Sequence, residues 1–331
     1  MNDMTAARSI ETFRRNFSGI KNEIEKTFVG HSGLVTDLLA ALMANGHVLI
    51  EGVPGLGKTL LVKTLAETLK LSFSRIQFTP DLMPADIIGS TVLLTDSTGG
   101  HCLKFREGPL VANFILADEI NRGTPKTQSA LLEAMQEHQV STGEKTIILP
   151  EPFAVIATQN PIEQEGTYPL PEAELDRFMI KLDIGYPEEA DYLKILDRTV
   201  GTEKADVKTI CTGEEIIAMQ KLARQVISAP EVENYAVRLV MSTQPGSAYA
   251  GATANENVIW GAGPRAVQAL VLIAKTYAIL DGRAAIACED IRRAALPVLR
   301  HRLKLNFEAH LKGRKADELL KEIIRNLPEQ P

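Results

Sequence analysis

The residues best suited to chemistry form a glycine-rich segment, GVPGLGKT, near residue 55. The segment fits the pattern G-x-x-x-x-G-K-[ST], in which the backbone N–H groups of a glycine loop surround phosphate groups. In this pattern Lys58 reaches the β- and γ-phosphates of a nucleoside triphosphate, and the hydroxyl of Thr59 binds Mg²⁺. The segment therefore predicts a site for ATP and Mg²⁺. We expect the nucleotide to contact the whole loop: Gly52, Val53, Pro54, Gly55, Leu56, Gly57, Lys58 and Thr59.

Two adjacent carboxylates follow an apolar run, FILADE, that begins at Phe114. A triphosphate site needs a metal partner at the end of a neighbouring strand, and this run supplies one. We expect Asp118 to hold the Mg²⁺ shell and Glu119 to orient and deprotonate the attacking water. Adjacent acids at an exposed strand end are also common in proteins without such a site. The upstream glycine loop favours the catalytic interpretation.

The elements around these residues must bring them to one edge of a sheet. HVLIE, residues 47–51, predicts a strand that leads straight into the glycine loop, and a helical pattern follows it. Further apolar runs predict strands, with helical patterns between several of them, notably at residues 127–138. Two helices are expected before the first strand, one ending at Val29 and Gly30 and the second at about residues 34–43. The sequence thus predicts an α/β core with a largely parallel central sheet.

The pattern of apolar residues changes after Gly185, Tyr186 and Pro187. From there nearly every segment has helical periodicity, apart from a stretch at about residues 242–263 that is rich in small residues and predicts an ordered loop or hairpin. We therefore expect an α/β nucleotide-binding domain at residues 1–186, including the N-terminal helix. An all-helical domain is expected at residues 187–331.

The composition bounds the class of protein. The chain has 331 residues, of which 45% are apolar and 24% charged, which is typical of a folded globular protein with room for two cores. No apolar run approaches the roughly 18 to 20 residues that cross a bilayer, so we expect no membrane insertion and a cytoplasmic location. The net charge of −6 argues against strong nucleic-acid binding. The densest cationic clusters are Arg292 and Arg293, and then Arg300, His301, Arg302 and Lys304.

The three cysteines, Cys102, Cys211 and Cys288, lie far apart and form no CxxC pair. This spacing indicates neither a disulfide framework nor a zinc site. We expect each cysteine to be a small buried hydrophobic residue.

Two long segments resemble the MoxR group of AAA+ ATPases: NFILADEINRGTPKTQSALLEAMQEHQV and FAVIATQNPIEQEGTYPLPEAELDRF. QFTPDLMPADIIG and GAGPRA are also similar to that group, and the resemblance covers about residues 29–299. It implies a P-loop NTPase (AAA+) core with a parallel central sheet, followed by an all-helical lid domain. It also implies the branch with an insertion in the second helix, at about residues 80–110, and a β-hairpin around Thr142 and Gly143.

The resemblance assigns roles to further residues. Lys58 and Thr59 match the Walker A pair, and the two carboxylates match Walker B. Asn160 matches sensor 1, whose amide can hold the lytic water or the γ-phosphate; a turn-forming asparagine before a proline is the alternative. Arg265, in GAGPRA, matches sensor 2, which would lean from the lid onto the γ-phosphate, although a plain surface arginine is possible there. Val29 and Gly30 lie where the adenine-side contact of this family falls.

The same resemblance implies a site shared between two subunits. Arg177, in LDRF, matches the arginine finger, which reaches the γ-phosphate bound in the neighbouring subunit. An always-charged planar donor suits the charge that redistributes on the phosphoryl oxygens during transfer. The alternative for Arg177 is a structural salt bridge with Asp176 or Glu174. Arg122, just after Walker B, is a second candidate for an intersubunit arginine.

Three functions remain open at this point. The resemblance implies a hexameric ring that uses ATP to remodel a client protein or insert metal into it, together with a partner that carries a von Willebrand factor A domain. A nucleic-acid motor is the second possibility, although the expected hairpin tip, STGEK, has one acid beside one base. A nucleotide-dependent assembly switch with negligible turnover is the third.

Overall fold

The computed structural model describes residues 3–95, 101–142, 145–161, 166–200 and 206–329. Its centre is a five-stranded sheet in the order β2-β5-β8-β1-β9, and every pairing within this sheet is parallel. The prediction of a parallel central sheet is therefore confirmed. The strands are β1 (Val48–Glu51), β2 (Phe73–Gln77), β5 (Phe114–Asp118), β8 (Ala154–Gln159) and β9 (Ile180–Asp183).

The central strands are continuous apolar runs because helices cover both faces of the sheet. All five residues of β5 are buried, and so are the first five of β8. Buried side chains form one cluster on each side of the sheet, and the larger cluster continues into the C-terminal helices. The helices of this part are α1 (Asp3–Glu25), α2 (Ser32–Met43), α3 (Lys58–Thr68), α4 (Pro84–Ile88), α5 (Pro125–Glu137) and α6 (Glu172–Leu175).

The first helix ends earlier than the sequence predicts. It stops at Glu25, and the amides of Lys26 and Thr27 bond to carbonyls three residues back. The hydroxyl of Thr27 also bonds to the carbonyl of Ile24 and, at 2.9 Å, to the hydroxyl of Thr64 on α3. A side chain that competes for backbone groups and anchors to another helix favours a turn over a further helical turn.

Two antiparallel hairpins extend from this core. The first, β3 (Gly89–Thr95) with β4 (His101–Glu107), lies where the insertion was expected, and its predicted turn at residues 97–100 falls outside the described residues. The second, β6 (Gln139–Thr142) with β7 (Lys145–Ile148), directly precedes β8 and confirms the predicted hairpin; Gly143, part of the predicted turn, is outside the described residues.

The prediction for the cysteines is right at Cys211, which is buried, and wrong at Cys102, which is exposed. Cys102 lies on β4, and most side chains of this strand are exposed, including Leu103 at 73%. A two-stranded hairpin with no layer packed over it gives an apolar side chain nothing to be buried against. Cys288 is half-buried.

The C-terminal part is helical, with one small antiparallel pair of strands. The stretch at residues 242–263 contains a short helix and the first of these strands, and not only a loop. Among the described residues, no helix is both long and apolar enough to cross a membrane. The elements are α7 (Glu189–Val200), α8 (Gly213–Arg224), α9 (Pro230–Met241), α10 (Ala252–Asn257), β10 (Val258–Trp260), α11 (Pro264–Leu280), α12 (Cys288–Leu299), β11 (Lys304–Leu305), α13 (Phe307–Leu311) and α14 (Ala316–Asn326).

Candidate active site

The glycine loop connects β1 to α3, and its shape requires glycine at two positions. Gly57 has φ = 79°, in the left-handed region, and is the residue from which α3 begins. A side chain at Gly52 would place its Cβ 2.8 Å from the carbonyl oxygen of Ile184. Because only glycine fits both positions without strain, the backbone N–H groups stay open toward a ligand at the N-terminus of α3.

Lys58 lies within this loop and points back into it. Its ammonium donates to the carbonyl oxygens of Gly52 at 2.5 Å and Val53 at 3.3 Å. Burial lowers the pKa of Lys58, and the carboxylates of Asp118 and Glu119 act in the opposite direction. The lysine therefore places a positive charge beside the two acids at the carboxyl edge of the sheet, where a triphosphate needs one.

Asp118 is held by two neighbours that the sequence analysis did not identify. Only 8% of the residue is exposed. The hydroxyl of Thr158, on β8, donates to Oδ1 at 2.7 Å, and the guanidinium of Arg75, on β2, donates to Oδ2 at 2.7 and 3.1 Å. Three hydrogen bonds thus fix the orientation of the carboxylate. Thr158 lies near the end of a predicted strand, which was a signal available in the sequence, whereas Arg75 lies in the middle of its strand and gave none.

Glu119 follows β5 in a left-handed backbone conformation, with φ = 54°. Its N–H donates to the hydroxyl of Thr158 at 2.9 Å, so the same threonine positions both acids. Its carboxylate accepts hydrogen bonds from Arg122 at 2.8 Å and from Gln77 at 3.3 Å. Arg122, the second candidate for an intersubunit arginine, therefore forms an ion pair with Glu119 of its own chain.

Asn160 directly follows β8, which is paired with β1. The carbonyl of Gln159 accepts a hydrogen bond from the N–H of Gly52 at 3.2 Å, which joins the end of β8 to the glycine loop. The structure therefore brings Asn160 to the same edge of the sheet as Lys58 and Glu119. This follows from the parallel order of β5, β8 and β1, because the carboxyl ends of parallel strands share one edge.

Val29 and Gly30 lie on the other side of the glycine loop. A Cβ at Gly57 would contact the ring of Phe28 at 3.5 Å, so the segment that directly follows α1 packs on the loop. Gly30 has φ = 76°, and a Cβ there would lie 2.8 Å from a carboxylate oxygen of Asp191 on α7. The two small residues are thus placed between the loop and α7.

Arg177 and Arg265 both lie near residues 174–176, but they contact different groups. Arg177 donates to the carbonyl of Leu132 on α5 at 2.8 Å. Arg265, the second residue of α11, lies 3.7 Å from a carboxylate oxygen of Asp176 and has a half-exposed side chain. Burial raises the pKa of Glu174, and the charge of Arg177 opposes this effect. The arginine finger candidate therefore faces α5 and Glu174, whereas the sensor 2 candidate lies beside Asp176.

Arg302 fixes this segment to the C-terminal helices. Its side chain is only 3% exposed and forms an ion pair with Asp176 at 2.7 Å. Its guanidinium also donates to the backbone carbonyls of Asp176 at 3.1 Å, Phe178 at 2.7 Å and Met179 at 3.1 Å, and to that of Val298. One planar, permanently charged side chain thus satisfies the backbone around Arg177.

Replacing Arg302 with methionine is expected to lower the free energy of local opening of residues 176–179 by about 3 kcal/mol. The reason is that removing one partner of a buried pair leaves the other charge and the carbonyls unpaired. The amide of Met179, which donates to the carbonyl of His47 at 2.9 Å, reports on this change. We expect its hydrogen exchange to quicken about 100-fold. Arg265→Met is the control, with less than about 1 kcal/mol expected for an exposed pair; equal effects of the two substitutions would contradict the prediction.

The densest basic cluster is paired with acids of the same chain. Arg300 forms ion pairs with Asp183 at 3.0 Å and Asp317 at 2.7 Å, and Lys304 pairs with Glu172. Arg302 is bound to Asp176, as described above. Because these charges are paired within the chain, the cluster offers little free positive charge to a phosphate backbone.

Family models and a solved structure show which class of protein this chain belongs to. Residues 47–180 match the family described as "ATPase family associated with various cellular activities (AAA)", and residues 251–323 match the AAA lid domain. A crystal structure from Cytophaga hutchinsonii, described as a "putative ATPase", superposes with a TM-score of 0.91 at 38% identity and covers 98% of both chains. The fold and the glycine loop are thus those of an AAA ATPase core followed by a helical lid.

The relatives then narrow the class to one family. Chaperone MoxR1 of Mycobacterium tuberculosis is 42% identical over 304 residues, which are 92% of this chain and 78% of the relative. Protein MoxR of Methylorubrum extorquens is 33% identical over 86% of each chain. The chain belongs to the MoxR family of AAA ATPases, and the predicted resemblance is confirmed.

Proposed function

We propose that this chain binds and hydrolyses ATP with Mg²⁺ at sites shared between neighbouring subunits of a hexameric ring, and uses the hydrolysis to remodel a client protein. The observation that carries the proposal is the division of the charged groups. The Lys58 ammonium lies within electrostatic reach of Asp118 and Glu119 at the sheet edge, whereas Arg177 bonds to the carbonyl of Leu132 on α5 and Arg265 lies beside Asp176. Two complementary half-sites on one chain suit a head-to-tail ring, in which each copy completes the site of the next.

The residues at the sheet edge fit a magnesium ion. Mg²⁺ takes oxygen ligands and is usually held by one or two carboxylates together with substrate phosphates. Thr59 offers a hydroxyl and Asp118 a carboxylate, and the hydrogen bond from Thr158 orients that carboxylate as partners of metal ligands do. We propose Thr59 and Asp118 as the protein ligands. When bound, the ion would neutralise charge on the phosphate oxygens.

The remaining residues act on the nucleotide and on water. The loop N–H groups of residues 52–59 and the Lys58 ammonium bind the phosphates, and Val29 and Gly30 contact the adenine side. Glu119 orients the attacking water and accepts its proton, while the amide of Asn160 holds that water or the γ-phosphate. Arg177, brought by the next subunit, stabilises charge on the phosphoryl oxygens, and Arg265 leans from the lid onto the γ-phosphate.

Three further features complete the proposal. We place the domain boundary at residue 186, with the lid at residues 187–331, because the helical stretch begins there. The relative from Mycobacterium tuberculosis is named a chaperone, which supports a protein client. The same proposal includes a partner with a von Willebrand factor A domain and a role in metal insertion. It also includes a cytoplasmic location, where ATP is supplied.

The client can be tested by capture on the Glu119→Gln variant. In ATP and Mg²⁺ this variant should hold the nucleotide-bound state, so client and partner proteins are expected to be retained. The matched control is Lys58→Ala, which should bind little ATP and retain none of them. The proteins are identified by mass spectrometry of the bound fraction. Equal recovery on both variants would count against ATP-dependent remodelling.

A further inference from the structure

Helix α7 turns its apolar side chains toward solvent. Tyr192, Leu193, Leu196 and Val200 are 47, 60, 54 and 77% exposed. At about 100° per residue these four side chains lie within one stripe about 100° wide. A surface helix of a globular protein normally directs such a stripe to the core. The apolar stripe of α7, defined by these four residues, is therefore not covered within the described part of the chain.

The opposite face of α7 is polar and is the face that is anchored. Arg198 donates to the carbonyl oxygens of Glu25 at 2.6 Å and Lys26 at 2.7 Å, just after the last turn of α1. Asp191 lies against Gly30, as described above. No described side chain of α7 belongs to either buried cluster. Polar contacts thus hold the helix in an orientation that exposes its apolar stripe.

A second apolar patch lies on the lid. Ile259 and Trp260 of β10, and Phe307 and Leu311 of α13, are 48, 59, 74 and 71% exposed. These four residues define the lid patch. Strand β10 pairs with β11, which directly precedes α13. Trp260 also lines a cavity of about 430 Å³ together with Asp176, the acid beside Arg265.

The two surfaces lie at opposite half-sites. The α7 stripe belongs to the helix that packs on Gly30, beside the glycine loop, whereas the lid patch adjoins Asp176, the residue before Arg177. Each surface offers four large side chains, on the order of 300–600 Å² of apolar area. That is a substantial part of the roughly 800 Å² per partner in a standard interface, and the charged half-sites would supply more.

We propose that the α7 stripe of one copy docks on the lid patch of the next copy. The inference rests on the proposed shared site: a contact that carries Arg177 of one copy to the triphosphate of the next also carries the lid patch, which adjoins Asp176, toward α7. A head-to-tail contact joins one surface of a copy to a different surface of the next copy. Two different patches on one chain fit such a contact. Nucleotide and apolar contact then stabilise the same interface.

The test uses assembly of the Glu119→Gln protein in ATP and Mg²⁺, followed by analytical ultracentrifugation. Leu196→Glu on α7 and Phe307→Glu on the lid are each expected to weaken assembly by more than about tenfold. Ile227→Glu is the matched control, since Ile227 is 63% exposed and lies in neither surface; it should assemble like the parent. At exposed positions such changes should alter folding stability by no more than about 0.5 kcal/mol.

A mixture of the two variants separates head-to-tail docking from self-pairing. The Leu196→Glu protein keeps an intact lid patch and the Phe307→Glu protein keeps an intact α7 stripe, so a 1:1 mixture should form dimers with one native contact. A mixture that stays monomeric would overturn the inference. Variants that assemble like the parent would also overturn it. So would a Leu196→Glu monomer whose ATP affinity falls by more than about tenfold, because the stripe would then contribute to nucleotide binding. A parent that fails to assemble would instead contradict the proposed ring.

Discussion

Arg177→Ala is expected to lower kcat for ATP hydrolysis by about 1,000-fold or more while leaving ATP affinity nearly intact, because an arginine finger contributes to the transition state and not to ground-state binding. The structure supports this separation. Arg177 bonds to the carbonyl of Leu132 on α5, whereas Lys58 bonds to the glycine loop. The measurement is steady-state hydrolysis under assembly conditions, with ATP affinity determined by calorimetry on the same preparation.

Two further variants make this prediction specific. Arg177→Lys keeps the charge but loses the planar fork, so it should recover only part of the activity. Arg122→Ala tests the second candidate, whose guanidinium pairs with Glu119 at 2.8 Å in its own chain. A large loss of nucleotide binding in Arg177→Ala, or no loss of turnover, would rule out Arg177 as the finger. A larger loss of turnover in Arg122→Ala with unchanged affinity would transfer the role to Arg122.

Glu119→Gln should lower turnover by about 10²- to 10⁴-fold, the usual contribution of general base catalysis, and should retain ATP. The substitution preserves the shape of the side chain, and Asp118 keeps its bonds to Thr158 and Arg75. The amide cannot accept the proton of the attacking water. Single-turnover hydrolysis measures the chemical step, and nucleotide retention after rapid gel filtration measures binding.

The control for this substitution is Glu67→Gln, an exposed position on α3 that pairs only weakly with Lys63, at 3.9 Å. It should leave turnover and affinity unchanged. If Glu119→Gln binds ATP and hydrolyses it as slowly as the parent, hydrolysis is not the working reaction. A nucleotide-dependent assembly switch would then replace the proposed motor.

Mixing the two inactive variants tests whether the site is shared. In a ring of randomly mixed subunits, about one quarter of the sites join Glu119 of an Arg177→Ala subunit to Arg177 of a Glu119→Gln subunit. These sites contain every proposed group, so the mixture should regain activity that neither variant has alone. No recovery in a mixture shown to contain both subunits would mean that Arg177 acts within its own chain.

Much of the fold was predictable because its signals are local or periodic. The apolar runs that became β1, β5 and β8 had to be buried on both faces, and this requirement shows directly in their composition. The end of α1 was not predictable to the residue. Thr27 ends the helical pattern by bonding to Thr64, which is 37 positions away in the chain.

The candidate site likewise contains residues that a local pattern predicts and residues that only tertiary contacts bring together. Lys58, Asp118 and Asn160 could be predicted as candidates because each opens, ends or follows an element that the sequence predicts. Thr158 and Arg75 could not be assigned as partners of Asp118. Their contacts depend on the order β2-β5-β8 across the sheet, which no local pattern specifies.

The sequence by itself determined the phosphate loop, the acids after β5 and the alternation of strands and helices, because backbone freedom at glycine and burial of apolar runs act over a few residues. Only the tertiary structure decided that Arg302 holds the segment around Arg177, and that α7 exposes its apolar stripe. Both depend on contacts between residues more than 100 positions apart, such as Arg302 with Asp176 and Arg198 with Glu25. Such contacts form only when the whole chain packs.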